Sequence, residues 1–194
     1  MNKVLLDSRA IIYPTALFLV GAEVDGKANF MALAWGSTAN NQPASFSIAI
    51  SHRQHTLKGI RQNMVFSVNI PSIAMAGEAD YCGLVSGSAI DKVEACHFTI
   101  FYGKVAKAPL IEECPINLAC VTEHIVDLPD HALVIGKVEE NHLSENCLTD
   151  GLPDINKIAP LVLVTNIRQY YSLGNNIGKA FTIGRQITGN NSSS

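Results

Sequence analysis

The sequence predicts a mainly β protein, an antiparallel barrel with a few helices around it. Three observations carry this reading. Apolar runs of strand length recur along the chain, an Asp-Gly turn signal joins the first two, and nowhere does the repeated strand–helix alternation of a doubly wound fold appear.

The elements follow in order. Thr15–Val24 and Ala28–Trp35 are apolar runs around Asp25-Gly26-Lys27, a hairpin. Ala44–Ile50 alternates Phe46, Ile48 and Ile50 with Ser45, Ser47 and Ala49, the period of a half-buried strand. The period then changes: Leu57, Ile60, Arg61 and Met64 fall at helical spacing after His55-Thr56, where Thr56 can cap a first turn. Val65–Ile70 reads as strand and ends at Pro71, Ser72–Asp80 as a short helix, and Cys82–Ser88 as a Gly- and Ser-rich loop. Further strands are expected at His97–Val105, Asn117–Val126, His131–Glu139 and Leu161–Asn166. The segment Ala10–Ala22 has the length of a signal-peptide core, but Asp7 stands where a basic leader belongs and Pro14 interrupts the run. It is also too short to cross a bilayer, which takes about 20 residues, and is read as a buried strand.

Composition narrows the function. In 194 residues there are 14 Lys and Arg against 17 Asp and Glu, a net charge of −3, so the chain as a whole lacks the basic footprint of a nucleic-acid binder. Hydrophobic residues make up 47%, ample to offset the entropy of ordering and to exclude a disordered chain. Charged residues make up 16%, below the roughly 25% usual in soluble domains, and that sparse polar cover points to surface buried in an oligomer. One domain over residues 1–188 is expected, with a disordered tail at Gly189–Ser194. Five cysteines without a CxxC pair fit a reduced, cytoplasmic compartment.

Three segments offer chemistry. Between Ser51 and Gln62 stand Arg53, Lys58 and Arg61 with no acid, at a helix N-terminus. Unpaired amides, the helix dipole and a guanidinium make such a place a phosphate clamp; the plainer reading is a surface helix with solvated charges. In Gly26–Trp35 the polar Asn29 starts an apolar strand that ends in the single tryptophan; by residue physics alone Asn29 finishes the turn and Trp35 fills the core. In Cys82–Lys92 a mobile Gly/Ser loop delivers one lysine, either to cover an anion or as an ordinary connection. Other chemistries lack their signatures. His52 and His55 have no third metal ligand nearby, no G-x-S-x-G occurs, and Gly174–Ala180 falls one residue short of a phosphate loop. No G-x-G-x-x-G follows a strand, which argues against a Rossmann domain, so a nicotinamide would have to sit in a surface cleft.

Taken in order, these segments resemble the flavin reductase-like family and, within it, the flavoredoxin-type proteins. The resemblance runs from about Pro14 to Gly184 through Gly26–Met31 with Ala34-Trp35, Ser51–Thr56 and Phe66–Asn69. It continues through Cys82-Gly83 with Ser86-Gly87, Asp91-Lys92, Asp130-His131 with Ile135–Val138, Tyr170–Gly174 and Ile177–Phe181. It implies a split β-barrel of Greek-key type, a homodimer, and one FMN per subunit near the interface. Asn29, Met31, Ala32 and Trp35 would border the flavin ring and ribityl chain; Ser51, Arg53 and Thr56 would hold its phosphate. Ser86, Gly87 and Lys92 would close over it, and His131 would lie at the exposed flavin face as a gate or nicotinamide contact. Ala32 stands where the family often has Thr, which removes a hydroxyl bond to the ring, and Val93 where it often has Phe. The implied activity is hydride transfer from NADH or NADPH to flavin, for a partner monooxygenase or redox protein. The alternative is a flavoredoxin-type electron carrier with tightly held FMN and little direct use of nicotinamide.

Overall fold

The computed structural model describes residues 1–5 and 13–187. Its centre is one antiparallel sheet of seven strands: β1 (Phe18–Val24), β2 (Lys27–Leu33), β3 (Gly36–Asn41), β4 (Ala44–Ser51), β5 (Val65–Ile70), β6 (Ile116–Asp127) and β7 (His131–Leu143). They run in the order β2-β1-β5-β6-β7-β4-β3, so β2 and β3 form the two edges. The sheet encloses an apolar interior, its two edges do not pair with each other among the described residues, and the result is a split barrel.

The β1–β2 hairpin closes in two residues, with Val24 opposite Lys27. Asp25 and Gly26 both have positive φ, 52° and 80°, the requirement of the tight turn whose twist matches the strands, which glycine meets without steric cost. Along β1 and β2 the side chains alternate. Phe18, Val20, Met31 and Leu33 face the barrel interior, where they join Phe46, Ile48, Phe66 and Val134. Leu17, Leu19 and Phe30 face outward and form a second apolar layer with Cys82, Phe98 and Ile111. Helix α1 (His55–Asn63) connects β4 to β5 and turns Leu57 and Ile60 into the barrel. Met64, at φ 53°, ends it with its amide donating to the Ile60 carbonyl at 2.8 Å. Helices α2 (Ala76–Leu84) and α3 (Lys92–Ala95) cover the outer layer.

Several expectations are corrected. The expected first strand, Thr15–Val24, is interrupted at Leu17, whose amide donates to Leu161 O at 3.1 Å; Thr15–Ala16 pairs instead with Val162–Val164. The Ala10–Ile12 start of the Ala10–Ala22 segment and the tail Gly189–Ser194 lie outside the described residues. Thr56 does not cap α1: Gln54 is the N-cap, without a side-chain bond, and Thr56 lies buried within the first turn. The loop expected from Cys82 starts only after Leu84, because α2 continues through Cys82-Gly83. His97–Val105 supplies only the two-residue strand Ile100–Phe101. Strand β3 was not expected, because Ser37, Thr38, Asn40 and Asn41 carry no apolar alternation; it lies exposed at the sheet edge.

Candidate functional site

Strand β4 ends at Ser51, directly opposite His131, the first residue of β7. The chain then turns sharply into α1: the Gln54 amide donates to Ser51 O at 3.0 Å and the Arg53 amide to Ser51 Oγ at 3.4 Å. The β6–β7 turn pins this corner, since the His52 amide donates to Asp130 O at 3.2 Å and His52 Nε2 bonds Leu128 O at 2.8 Å. Of the three cations in the segment, Lys58 pairs with Asp25 at 2.6 Å and Arg61 pairs with Asp127. Arg53 is exposed and has no side-chain partner among the described residues. The amides of His55 and Thr56 likewise have no acceptor among them, and the first turn carries no acidic residue. This corner therefore presents unsatisfied donors, the positive end of a helix and an uncommitted guanidinium.

Asn29 does not finish the hairpin turn. It is 7% exposed, and its Nδ2 donates to Thr56 Oγ1 at 2.7 Å. Against its other amide atom lies Gly87: a Cβ there would stand 1.7 Å from Asn29 Oδ1, so only glycine lets the loop approach β2 this closely. Asn29, Thr56 and Gly87 thus bring three segments distant in sequence together. Beside them opens a cavity of about 400 Å³, whose walls include Lys27, Asn29, His55, Gly87, Asp91 and Lys92. Ser86 shapes the loop: its Oγ lies 2.8 Å from Ser88 Oγ, and its carbonyl accepts from the amides of Ala89 and Ile90.

Lys92 reaches the cavity wall but is no mobile cation on a loop. It lies in the first turn of α3, where Asp91 Oδ1 accepts from the amides of Val93 and Glu94. Its side chain is buried, and Nζ donates to Phe30 O at 2.9 Å and to Cys82 O at 2.8 Å. Burial lowers its pKa from the ordinary lysine value. The ammonium ties the outer edge of β2 to the end of α2.

At the far end of β2, Trp35 is 57% exposed and does not fill the core. Its ring lies 4.9 Å from the His131 ring, tilted by 31°. Asp130 Oδ1 lies 2.9 Å from His131 Nδ1, and the histidine holds the Asp130 carboxyl below its ordinary range. Beside Trp35 a mostly apolar cavity of about 420 Å³ is lined in part by Thr15, Ala34, Gly36, Ser47 and Thr165. Ala32 lines a neighbouring cavity of about 330 Å³ with Gly83 and Tyr170. Met31, by contrast, is a barrel-core residue, 5% exposed. From Asn29 to Trp35 the chain covers about 20 Å at the rise of an extended strand. The candidate site is this strip of the split, with the Ser51–Thr56 corner facing it.

The sequence model of the flavin reductase like domain matches residues 9–174. The chain belongs to the flavin reductase-like family. Among solved structures it is similar to the flavoredoxin from Methanosarcina acetivorans, at 36% identity and a TM-score of 0.92, covering 96% of this chain and 100% of that one. It is also similar to the flavoredoxin of Desulfovibrio vulgaris (Miyazaki F), at 35% identity and a TM-score of 0.88, covering 94% and 100%. Nitrilotriacetate monooxygenase component B from Bacillus cereus shares the fold, at 19% identity and a TM-score of 0.80 over 87% of this chain and 88% of that one.

In this member of the family, Asn29, Thr56, Gly87 and Lys92 meet around the first cavity, while Ser51 and Arg53 stand at the helix corner and Trp35 and His131 stack at the opposite end. Sequence reasoning missed His55 and Asp91 as walls of the first cavity and Thr165 as a wall of the second. His55 had a signal in its place at the helix start. Thr165 had none, because only the return of the Val162–Val164 strand beside Thr15–Ala16 brings it near Trp35.

Proposed function

We propose that the chain binds FMN along the split of the barrel and works as an FMN-dependent oxidoreductase that takes hydride from NADH or NADPH. The observation that carries this is the Ser51–Thr56 corner, where the free guanidinium of Arg53, two acceptorless amides and a helix N-terminus lie together without a carboxylate in the first turn. That donor set fits a dianionic phosphate, and the approximately 20 Å strip leading to Trp35 suits an elongated mononucleotide. In this reading Ser51 and Arg53 hold the phosphate. Thr56 and Asn29 keep the corner and β2 in register, and Ser86 and Gly87 form the covering loop. Lys92 acts on the cofactor indirectly by fixing the β2 edge, and Met31 and Ala32 act through the strand they build. FMN, when bound, supplies the hydride acceptor and the redox chemistry. The chain supplies orientation, and His131, held by Asp130 and set against Trp35, would border a flavin bound along this strip on the side where a nicotinamide would approach.

A second reading has its own support. The two flavoredoxins at 36% and 35% identity favour an electron carrier with tightly held FMN. An absorption spectrum of the purified protein, then anaerobic mixing with NADH and with NADPH, separates the readings. Rapid loss of yellow absorption with either nucleotide is the result expected of the reductase. A yellow protein that neither nucleotide bleaches is the carrier, and a colourless protein that ignores added FMN overturns both.

The segment 172–187 supports a homodimer. It runs without strand pairing and leaves Ile177 91% and Phe181 96% exposed, large apolar side chains that a second copy would cover. Light scattering is expected to give twice the chain mass for the native protein and a single chain mass for Ile177→Asp/Phe181→Asp, with circular dichroism unchanged. A native protein at a single chain mass would refute the dimer. Among the described residues no helix is long and apolar enough to cross a membrane. The five free cysteines support a cytoplasmic setting, and a monooxygenase or redox protein is the proposed acceptor of the electrons.

A further inference from the structure

The loop that carries Ser86 and Gly87 is closed at its base by two cysteines. Cys82 sits in the last turn of α2 and is 1% exposed; Cys96 ends α3, its amide donating to Lys92 O at 3.0 Å, and is half-buried. Cys96 Sγ lies 4.0 Å from Glu78 O, the carbonyl one helical turn before Cys82, and Cys96 packs against the apolar layer to which Cys82 belongs, so that each thiol affects the other's ionisation. Above Cys96 opens a surface cavity of about 370 Å³ whose remaining walls are Gly77, Glu78, Tyr81, Ala95 and His97. One thiol is therefore reachable from solvent, and the other lies buried in the apolar layer it packs on.

We propose that Cys96 and Cys82 are an attacking and a resolving thiol that exchange with small-molecule disulfides through this cavity and close a bridge at the base of the 83–95 loop. The chemistry balances. Cys96, as thiolate, attacks one sulfur of the small disulfide; a mixed disulfide forms, and the other half leaves as a thiol with the proton Cys96 gave up. Cys82 then attacks Cys96 sulfur and releases the second half as a thiol. Two protein thiols become one disulfide, and one small disulfide becomes two thiols. Burial raises both thiols above the ordinary cysteine value, Cys82 to about 12; the Glu78 carboxylate adds to this and the Lys92 ammonium opposes it. Less thiolate is then present at neutral pH, which slows the exchange. The bridge would tie the end of α2 to the end of α3 and constrain the loop that walls the first cavity.

The test uses the full-length protein and oxidised glutathione as the probe. Native protein is expected to lose two hydrogens by intact mass, with peptide mapping joining Cys82 to Cys96. Amide hydrogen exchange in 85–91 is expected to slow at least tenfold. Cys82→Ser should trap one glutathionyl group on Cys96, Cys96→Ser should form neither adduct nor bridge, and Cys114→Ser should behave as native. A bridge joining any other pair, or a Cys96 that reacts only after unfolding, overturns the proposal. The loop's effect on a bound flavin rests on the function proposed above; the bridge does not, because mass and exchange are read without FMN.

Discussion

Arg53→Ala is expected to weaken FMN binding by about 1.5–3 kcal/mol, the range of hydrogen bonds to charged groups, or roughly ten- to a hundredfold in Kd. Fluorescence titration reads it directly. The thermal midpoint should stay within about a degree of the native value, since an exposed side chain without partners contributes little to the fold. That pairing of outcomes is what makes the test sharp: lost affinity in an equally stable protein assigns the phosphate to this corner. Affinity unchanged from native would mean that the phosphate sits elsewhere and would remove the main support for the proposed function. The neighbouring cations make the contrast. Lys58 and Arg61 already hold carboxylates, Asp25 and Asp127, so neutralising either should disturb local structure more than a ligand.

Gly59→Ala is expected to destabilise the fold by about 2 kcal/mol, within the range of overpacked sites, lowering the thermal midpoint by about 4–8 °C for a chain of this size. Helix propensity alone says the reverse, since alanine is better than glycine inside a helix by about 1 kcal/mol. Geometry decides. A Cβ at residue 59 would stand 2.3 Å from the Glu23 carbonyl oxygen and 2.9 Å from Val24 Cγ2, so α1 lies directly against the hairpin backbone, which cannot rotate aside. Relief of the clash has to move α1, and with it the Ser51–Thr56 corner, so FMN affinity is expected to fall as well. Calorimetry showing a raised midpoint would mean that helix and hairpin do not meet as described.

How much of this was legible in the residues depends on the distance over which each signal acts. Asp25-Gly26 is a local signal, and the two-residue turn it specifies is there. The clustering of cations after Ser51 was equally local, but only the fold revealed which cation is left uncommitted. Asn29, Gly87 and Lys92 were identifiable as unusual residues, whereas their work is with one another's segments and cannot be read from spacing. Trp35 went to the core on the ordinary preference of large apolar side chains; its exposure follows from its position beyond the end of β2, at the split. Polar β3 was invisible because an exposed edge strand needs no apolar alternation. Cys82 and Cys96 stand fourteen positions apart, far from any CxxC spacing, and share one apolar layer only because α2 and α3 both pack on β2.

The two carbonyls that receive the Lys92 ammonium have a consequence for how this protein behaves in a crowd. An opened barrel exposes a rim of backbone hydrogen-bonding groups, a template on which a foreign strand can dock and seed fibrous assembly. Phe30 O, in the middle of β2, is one such rung, and a buried cation already occupies it while α2 and α3 roof over the neighbouring side chains. The lysine thus takes that rung of the open edge out of reach of foreign strands.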